Sequence, residues 1–259
     1  MNIQFYKYQG TGNDFVLLDN RDKQFDSLNT KQIKHLCDRH FGIGADGLML
    51  LNLKPGYDFE MKYYNADGHE SSMCGNGGRC IVRFAFDRGM VLTDYNFIAV
   101  DGPHLANFEN NNWVRLKMKD VAKIKRFHAD FIVDTGSPHY VKVMNDVMEL
   151  DVFTLGREIR NSDDFKKRGI NVNFVEQQDE VITVRTYERG VEDETLSCGT
   201  GVTASALVCA HNDLGFNRVE VKTKGGHLAV EFDKKGTERF ENIWLCGPAT
   251  FVFKGEIEL

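Results

Sequence analysis

The chain repeats itself at a fixed spacing. Cys74 is followed by Gly-Asn-Gly and Cys198 by Gly-Thr-Gly, and subtracting 74 from 198 gives 124. The same 124 separates Gly75 from Gly199, Gly77 from Gly201, Glu70 from Glu194 and Tyr63 from Tyr187. It also carries Thr11-Gly12-Asn13, which leads into Phe15-Val16-Leu17-Leu18, onto Thr135-Gly136-Ser137, which leads into Tyr140-Val141-Lys142-Val143. One offset shared by several anchors marks a duplicated half-protein. The fold must then be built from two like halves, each carrying one Cys-Gly-x-Gly. With 259 residues in all, each half is long enough to bury a core of its own.

Local patterns fill in the halves. Residues 3–9 and 15–19 read as strands around a turn at 10–13. Asn29 and Gln32 have the spacing of a capping box, after which Ile33, Leu36, Cys37 and His40 recur at helical spacing. Strands are expected at 48–53 and 59–64, then a helix from Cys74 to a stop at Gly89. Further strands fall at 97–100, 105–108 and 113–118, with a turn at 110–112; Val114, Leu116 and Met118 face in, Arg115 and Lys117 out. The second half repeats the plan with strands at 131–133, 140–143, 172–175 and 181–187, a helix near 153–160 and an uncharged helix at 202–210. A hairpin joins 218–223 to 227–232, and a strand follows at 243–245. A helix apolar on every side must be enclosed on every side. The expected fold class is therefore α/β of the α+β type: two pseudosymmetric halves, each a curved mixed or antiparallel sheet wrapped round a central helix, with the active site in the cleft between them. The expected halves are 1–118 plus C-terminal strands 248–259, and 119–247.

Charge and cysteine usage narrow the function. A net charge of −6 argues against nucleic acid as a partner. No basic and apolar leader opens the sequence, and the uncharged run at 196–210 is shorter than a membrane span, so neither export nor membrane attachment is expected. The six cysteines include no Cys-x-x-Cys, which points to reduced thiols in the cytoplasm. Cys37, Cys80, Cys209 and Cys246 lie in apolar settings, Cys80 and Cys209 inside helical runs, and read as small buried core residues.

Cys74 and Cys198 differ from these four because each precedes a glycine-rich helix start. Backbone N–H groups and the helix dipole there stabilise negative charge, so a thiolate is favoured. Two such thiols suit inversion at a carbon: one removes an α-proton and the other returns a proton from the opposite face. The helix-start N–H groups of Gly75-Asn76 and Gly199-Thr200 could hold an α-carboxylate where charge builds up. No pyridoxal cofactor is then required, and no metal is expected.

The residues also carry a resemblance. Asn65-Ala66-Asp67-Gly68, Glu70, Cys74-Gly75-Asn76-Gly77 and Arg79-Cys80, together with Tyr187-Glu188-Arg189-Gly190, Cys198-Gly199-Thr200-Gly201 and Gly10-Thr11-Gly12-Asn13-Asp14-Phe15, resemble diaminopimelate epimerase over nearly the whole length. That family is a cofactor-independent isomerase that interconverts LL- and meso-diaminopimelate for lysine and cell-wall synthesis. The resemblance implies that Cys74 and Cys198 are the acid/base pair and that Asn13, Asn65, Asn171, Glu188 and Arg189 bind the substrate. It implies that Gly75-Asn76 and Gly199-Thr200 cradle the carboxylate, and that His139 and Glu188 tune the thiols. Two positions depart from the family pattern. Ser137 replaces an asparagine of a Gly-Asn-Pro-His segment, and Gly47 stands where some members carry a glutamine; both bear on contacts to the distal end of the substrate.

Other readings fit the same residues. A related two-thiol racemase would act on proline or hydroxyproline, although such enzymes tend to show Cys-Gly-His-Gly where this chain has Cys74-Gly75-Asn76-Gly77. A thiol redox protein would cycle through a disulfide, and a non-catalytic binding module would keep binding as a Cys74→Ser variant. A small-molecule amino acid is the expected partner. A homodimer is one assembly this reading allows.

Overall fold

The structure, a computed structural model, describes residues 1–109, 113–211 and 213–259. The turn expected at 110–112 lies outside the described residues. The chain divides into two compact units, Met1–Leu116 with Gly247–Leu259 and Lys117–Cys246.

In unit 1 the strands are β1 (Asn2–Gly10), β2 (Asn13–Asp19), β3 (Gly47–Asn52), β4 (Phe59–Asn65), the short β5 (Glu70–Ser71), β6 (Asp94–Ala99), β7 (Gly102–Phe108) and β8 (Trp113–Lys117). Unit 2 holds β9 (Lys125–Phe127), β10 (Asp130–Asp134), β11 (Pro138–Val143), β12 (Asn171–Gln178), β13 (Val181–Glu188), the short β14 (Asp193–Thr195), β15 (Gly215–Thr223), β16 (Gly226–Lys234) and β17 (Phe240–Pro248), which ends just past the boundary. The last strand, β18 (Thr250–Glu258), returns to unit 1 and pairs antiparallel with β1.

Both units follow one strand plan. In unit 1, β18, β1 and β2 are antiparallel, β2 and β3 parallel, β3 and β4 antiparallel, β4 and β6 parallel, and β6 to β8 antiparallel. Unit 2 repeats that order and sense from β9 through β13 to β15, β16 and β17. Even the register agrees: Phe15 pairs with Gly47 and His139 with Asn171, and both residues of the second pair lie 124 beyond those of the first.

In each unit the strands pack round one helix. The central helix α2 (Gly75–Asp87) touches β18, β1, β2, β3 and β7, and its residues from Gly75 to Val82 are all buried. In unit 2 the central helix α4 (Gly199–Val208) touches β10, β11, β12, β13, β15 and β16, and only Thr200 and Val208 are not fully buried. Apolar burial of this kind, at roughly 25 cal/mol per Å², supplies the main drive for folding. Two amphipathic helices cover the outer faces. Helix α1 (Thr30–Cys37) sets Ile33, Leu36 and Cys37 against Val16, Leu18, Leu48 and Leu50. Helix α3 (Val152–Arg160) lies over a cluster that includes Val172, Phe174 and Tyr187.

Two local expectations are corrected. The α1 helix stops at Cys37, and His40 lies beyond it, exposed, because the Asp38 carboxylate accepts from the His40 and Phe41 N–H groups and turns the chain. Cys209 is the C-cap of α4, half-buried, and not an interior helical position. No helix among the described residues is long and apolar enough to cross a membrane.

Candidate active site

In unit 1 the sequence puts a tight turn and a helix start side by side. Thr11 and Gly12, at φ of 51° and 85°, form a two-residue loop that closes the β1–β2 hairpin. A β-branched residue is seldom found at such a φ. Thr11 is 2 % exposed and held there, its hydroxyl accepting from Arg79 Nη2 at 3.2 Å. The turn delivers Asn13 to the start of α2. Cys74 is the N-cap residue of that helix, and its Sγ accepts from Gly77 N–H at 3.4 Å. Asn13 Oδ1 lies 3.6 Å from Cys74 Sγ and 3.4 Å from Asn76 Nδ2.

Around this trio lies a charged shell. Asn13 Nδ2 donates to Asp46 Oδ2 at 2.5 Å, and Arg39 bridges Asp46 and Asp14 at 2.8 and 2.7 Å. Lys7, buried, pairs with Asp14 at 2.7 Å and donates to the Gly44 carbonyl. Burial works against ionisation of Asp14, but the hydrogen bonds and charges of Arg39 and Lys7 prevail and hold its carboxyl down at about 2. Gly47 faces Asn65 across β3 and β4, and a Cβ on Gly47 would lie 2.5 Å from the Tyr64 carbonyl oxygen and from the Tyr63 ring. Unit 1 therefore brings Asn13, Cys74, Gly75 and Asn76 together and sets Gly47 and Asn65 opposite each other on neighbouring strands.

Unit 2 builds the same corner with different chemistry. Its β10–β11 hairpin has a three-residue loop, Thr135 to Ser137, with only Gly136 at positive φ. Ser137 Oγ accepts from Asn171 Nδ2 at 3.0 Å and Arg189 Nη2 at 3.4 Å. Asn171 Oδ1 accepts the Arg189 backbone N–H at 2.8 Å. Cys198 is the N-cap of α4, 7 % exposed, with its Sγ 3.5 Å from Thr200 Oγ1. The Thr135 hydroxyl donates to the Thr200 carbonyl at 2.9 Å. Glu188 accepts from the Thr195 hydroxyl at 3.0 Å.

His139 has no exposed surface and stands between Asn173 Nδ2, 3.2 Å from its Nδ1, and Asn171 Nδ2, 3.5 Å from its Nε2. Burial, helped by the Arg189 charge, pushes its pKa down to about 3, so the imidazole is neutral. Asn173 is fixed in turn, donating to the Tyr140 carbonyl at 2.9 Å and accepting from Thr186 Oγ1 at 2.9 Å.

Several residues of these shells escape a reading of the sequence: Asp46, Arg79, Thr11 and Asn173. Asp46 precedes Gly47 directly, and Arg79, with Arg83, is one of two cations in a largely apolar helical run; neither position by itself marks a role. Arg79 has no exposed surface and donates to Asn76 Oδ1 at 3.0 Å and the Gly75 carbonyl at 3.2 Å.

Comparison with known proteins gives a consistent picture. A family profile described as Diaminopimelate epimerase matches residues 5–124 and 131–252. A curated protein from Flavobacterium psychrophilum named Diaminopimelate epimerase is 47% identical over 258 residues, covering 98% of this chain and 100% of the relative. Among solved structures, a Bacillus anthracis phenazine biosynthesis protein of the PhzF family matches with a TM-score of 0.80 at 13% identity, covering all of both chains. A hydroxyproline epimerase from Agrobacterium vitis matches at 0.69 and 13% identity, covering 99% of this chain and 91% of that one. These two structures share the fold, a mixed α/β arrangement of two pseudosymmetric halves.

Proposed function

This chain belongs to the diaminopimelate epimerase family, and from that premise we propose that it interconverts LL- and meso-2,6-diaminopimelate with two cysteines and no cofactor. It is an isomerase acting on a small molecule. The observation that carries the mechanism is the repetition, in both units, of a cysteine as N-cap of a buried, glycine-led helix. One thiolate takes the α-proton and the other thiol returns a proton to the opposite face of the carbanion, Cys74 and Cys198 exchanging roles with direction.

The first N–H groups of α2 and α4 have no acceptor within their helices. Those of Gly75-Asn76 and Gly199-Thr200 are assigned to the α-carboxylate, where negative charge develops. Asn13, Asn65 and Gly47 in unit 1, and Ser137, Asn171, Glu188 and Arg189 in unit 2, are assigned to the rest of the substrate. Neutral His139 and Glu188 are assigned to tuning the thiols, Glu188 by adding negative charge on the Cys198 side. A cytoplasmic location follows from the need for free thiols. Light scattering on the purified protein decides whether it is a homodimer.

Proton NMR of LL-diaminopimelate with the reduced protein in D2O tests the reading, with proline in a parallel tube. Formation of the meso isomer with deuterium at the α-carbon is the expected result, and exchange of proline alone would move the substrate to the hydroxyproline or proline class. In Cys74→Ala and Cys198→Ala the inversion should be lost; full activity in either would end the two-thiol mechanism.

A further inference from the structure

We propose that Arg79, Asn76, Asn13 and Asp46 form a hydrogen-bond relay of fixed direction that keeps Cys74 protonated at rest. Cys74 is then the acid and Cys198 the base of the waiting enzyme. The proposal rests on the two-thiol reading above.

The ends of the relay set its direction, because a guanidinium only donates and a carboxylate only accepts. Arg79 Nη2 donates to Asn76 Oδ1 at 3.0 Å, so Asn76 Nδ2 is turned toward Asn13 Oδ1 at 3.4 Å. Asn13 Nδ2 then donates to Asp46 Oδ2 at 2.5 Å. Reversing either amide would set nitrogen against guanidinium or oxygen against carboxylate. Asn13 therefore shows Cys74 an oxygen, 3.6 Å from Sγ, and no N–H. Donating to that oxygen while accepting from Gly77 N–H uses the thiol both as donor and as acceptor. A thiolate would keep the second bond and set negative sulfur against a carbonyl oxygen in the first.

Charged and titratable groups lie on several elements of unit 1 around this sulfur. Arg79 and Cys80 lie on α2, Lys7 on β1, Asp14 on β2, and Arg39 and Asp46 in the loop before β3. Asp101, which accepts from Met73 N–H at 3.4 Å, pairs with His104 at 3.2 Å. Lys7, Asp14, Arg39 and Asp46 are paired among themselves. Burial pushes the Cys80 thiol up and keeps it neutral. Arg79 gives its N–H groups to Asn76, Thr11 and the Gly75 and Pro248 carbonyls.

Unit 2 carries neither end of the relay. Adding 124 to positions 79, 76, 13 and 46 leads to Thr203, Thr200, Ser137 and Ile170. Thr203 donates to the Gly199 carbonyl, and Ile170 is buried and apolar. Between Cys198 Sγ and Thr200 Oγ1 either atom can donate, so that contact serves thiol and thiolate alike. In a turnover from this resting state Cys198 takes the α-proton and the Cys74 S–H bond breaks to supply the carbon. Exchange with water then removes the proton from Cys198 and restores the one on Cys74.

Alkylation of the full-length reduced protein by iodoacetamide across a pH series, read peptide by peptide in a mass spectrometer, tests the relay. The pH midpoint of labelling reports protonation, whereas exposure sets only the limiting rate. Cys198 should show the lower midpoint. Asp46→Asn, whose amide can face either way, should lower the Cys74 midpoint by about one unit, about tenfold faster labelling at a pH below it, with Cys198 unmoved. A Cys74 midpoint at or below that of Cys198 in the native chain overturns the proposal, as does an unmoved Cys74 in folded Asp46→Asn. If Asp46→Asn does not fold, the native comparison decides alone. Labelling needs no turnover, so its outcome is separate from that of the NMR test.

Discussion

At the scale of single residues, His139 makes burial measurable. Its pKa is about 3 in the fold and near the ordinary histidine value of about 6.5 once unfolded, so between those limits the unfolded chain binds the extra proton. A depressed folded value means that stability is full above the unfolded pKa and is lost as pH falls through the window. The loss is about 1.4 kcal/mol per pH unit for one proton. Asp14, held at about 2, adds its own loss only below the ordinary carboxylate range. Urea unfolding of native protein and His139→Gln at several pH values between 6.5 and 4, the window given by the histidine limits, should show the variant with a slope shallower by one proton. Equal slopes would refute the buried neutral imidazole. The sequence announced the two cysteines through their repeated glycines, but not Asp46 or Arg79. Those two act by turning other side chains, and the direction of an amide leaves no trace in spacing or hydropathy.

At the scale of elements, most starts were legible and several stops were not. The Asn29 capping box is present as its spacing implies: Asn29 Oδ1 accepts from Lys31 and Gln32 N–H, and Gln32 Oε1 accepts from Asn29 N–H. Asn29→Ala removes the side-chain half and should cost about 1 kcal/mol in urea unfolding; no change would mean that α1 is held by packing alone. Spacing alone carries α1 past its end, because His40 keeps helical spacing although Asp38 has already turned the chain. The second-half hairpin hid another detail. A gapless repeat of the Leu48–Tyr64 pair would set Val172 opposite Glu188, whereas Val172 faces Tyr187. Glu188 thus takes the place opposite Asn171 that Asn65 holds opposite Gly47, and Arg189 falls beyond the strand end, where its N–H meets Asn171. A one-residue shift of this kind follows from pairing geometry and is invisible to subtraction of residue numbers.

At the scale of the molecule, the two units share one strand order but not one order of synthesis. Beside its hairpin partner, β10 pairs with β9, made just before it, while β1 pairs with β18, made after all of unit 2. A chain ending at residue 249 should keep slow amide exchange in β10 to β16 and lose it in β1, as read by hydrogen exchange with mass spectrometry; a protected β1 would show that β18 is dispensable. Chains emerge from the ribosome from the N-terminus onward. Unit 1, the first to be translated, is therefore the last to be finished. Throughout the translation of unit 2 its β1 offers an open hydrogen-bonding edge, the kind of surface on which nascent chains aggregate or recruit chaperones.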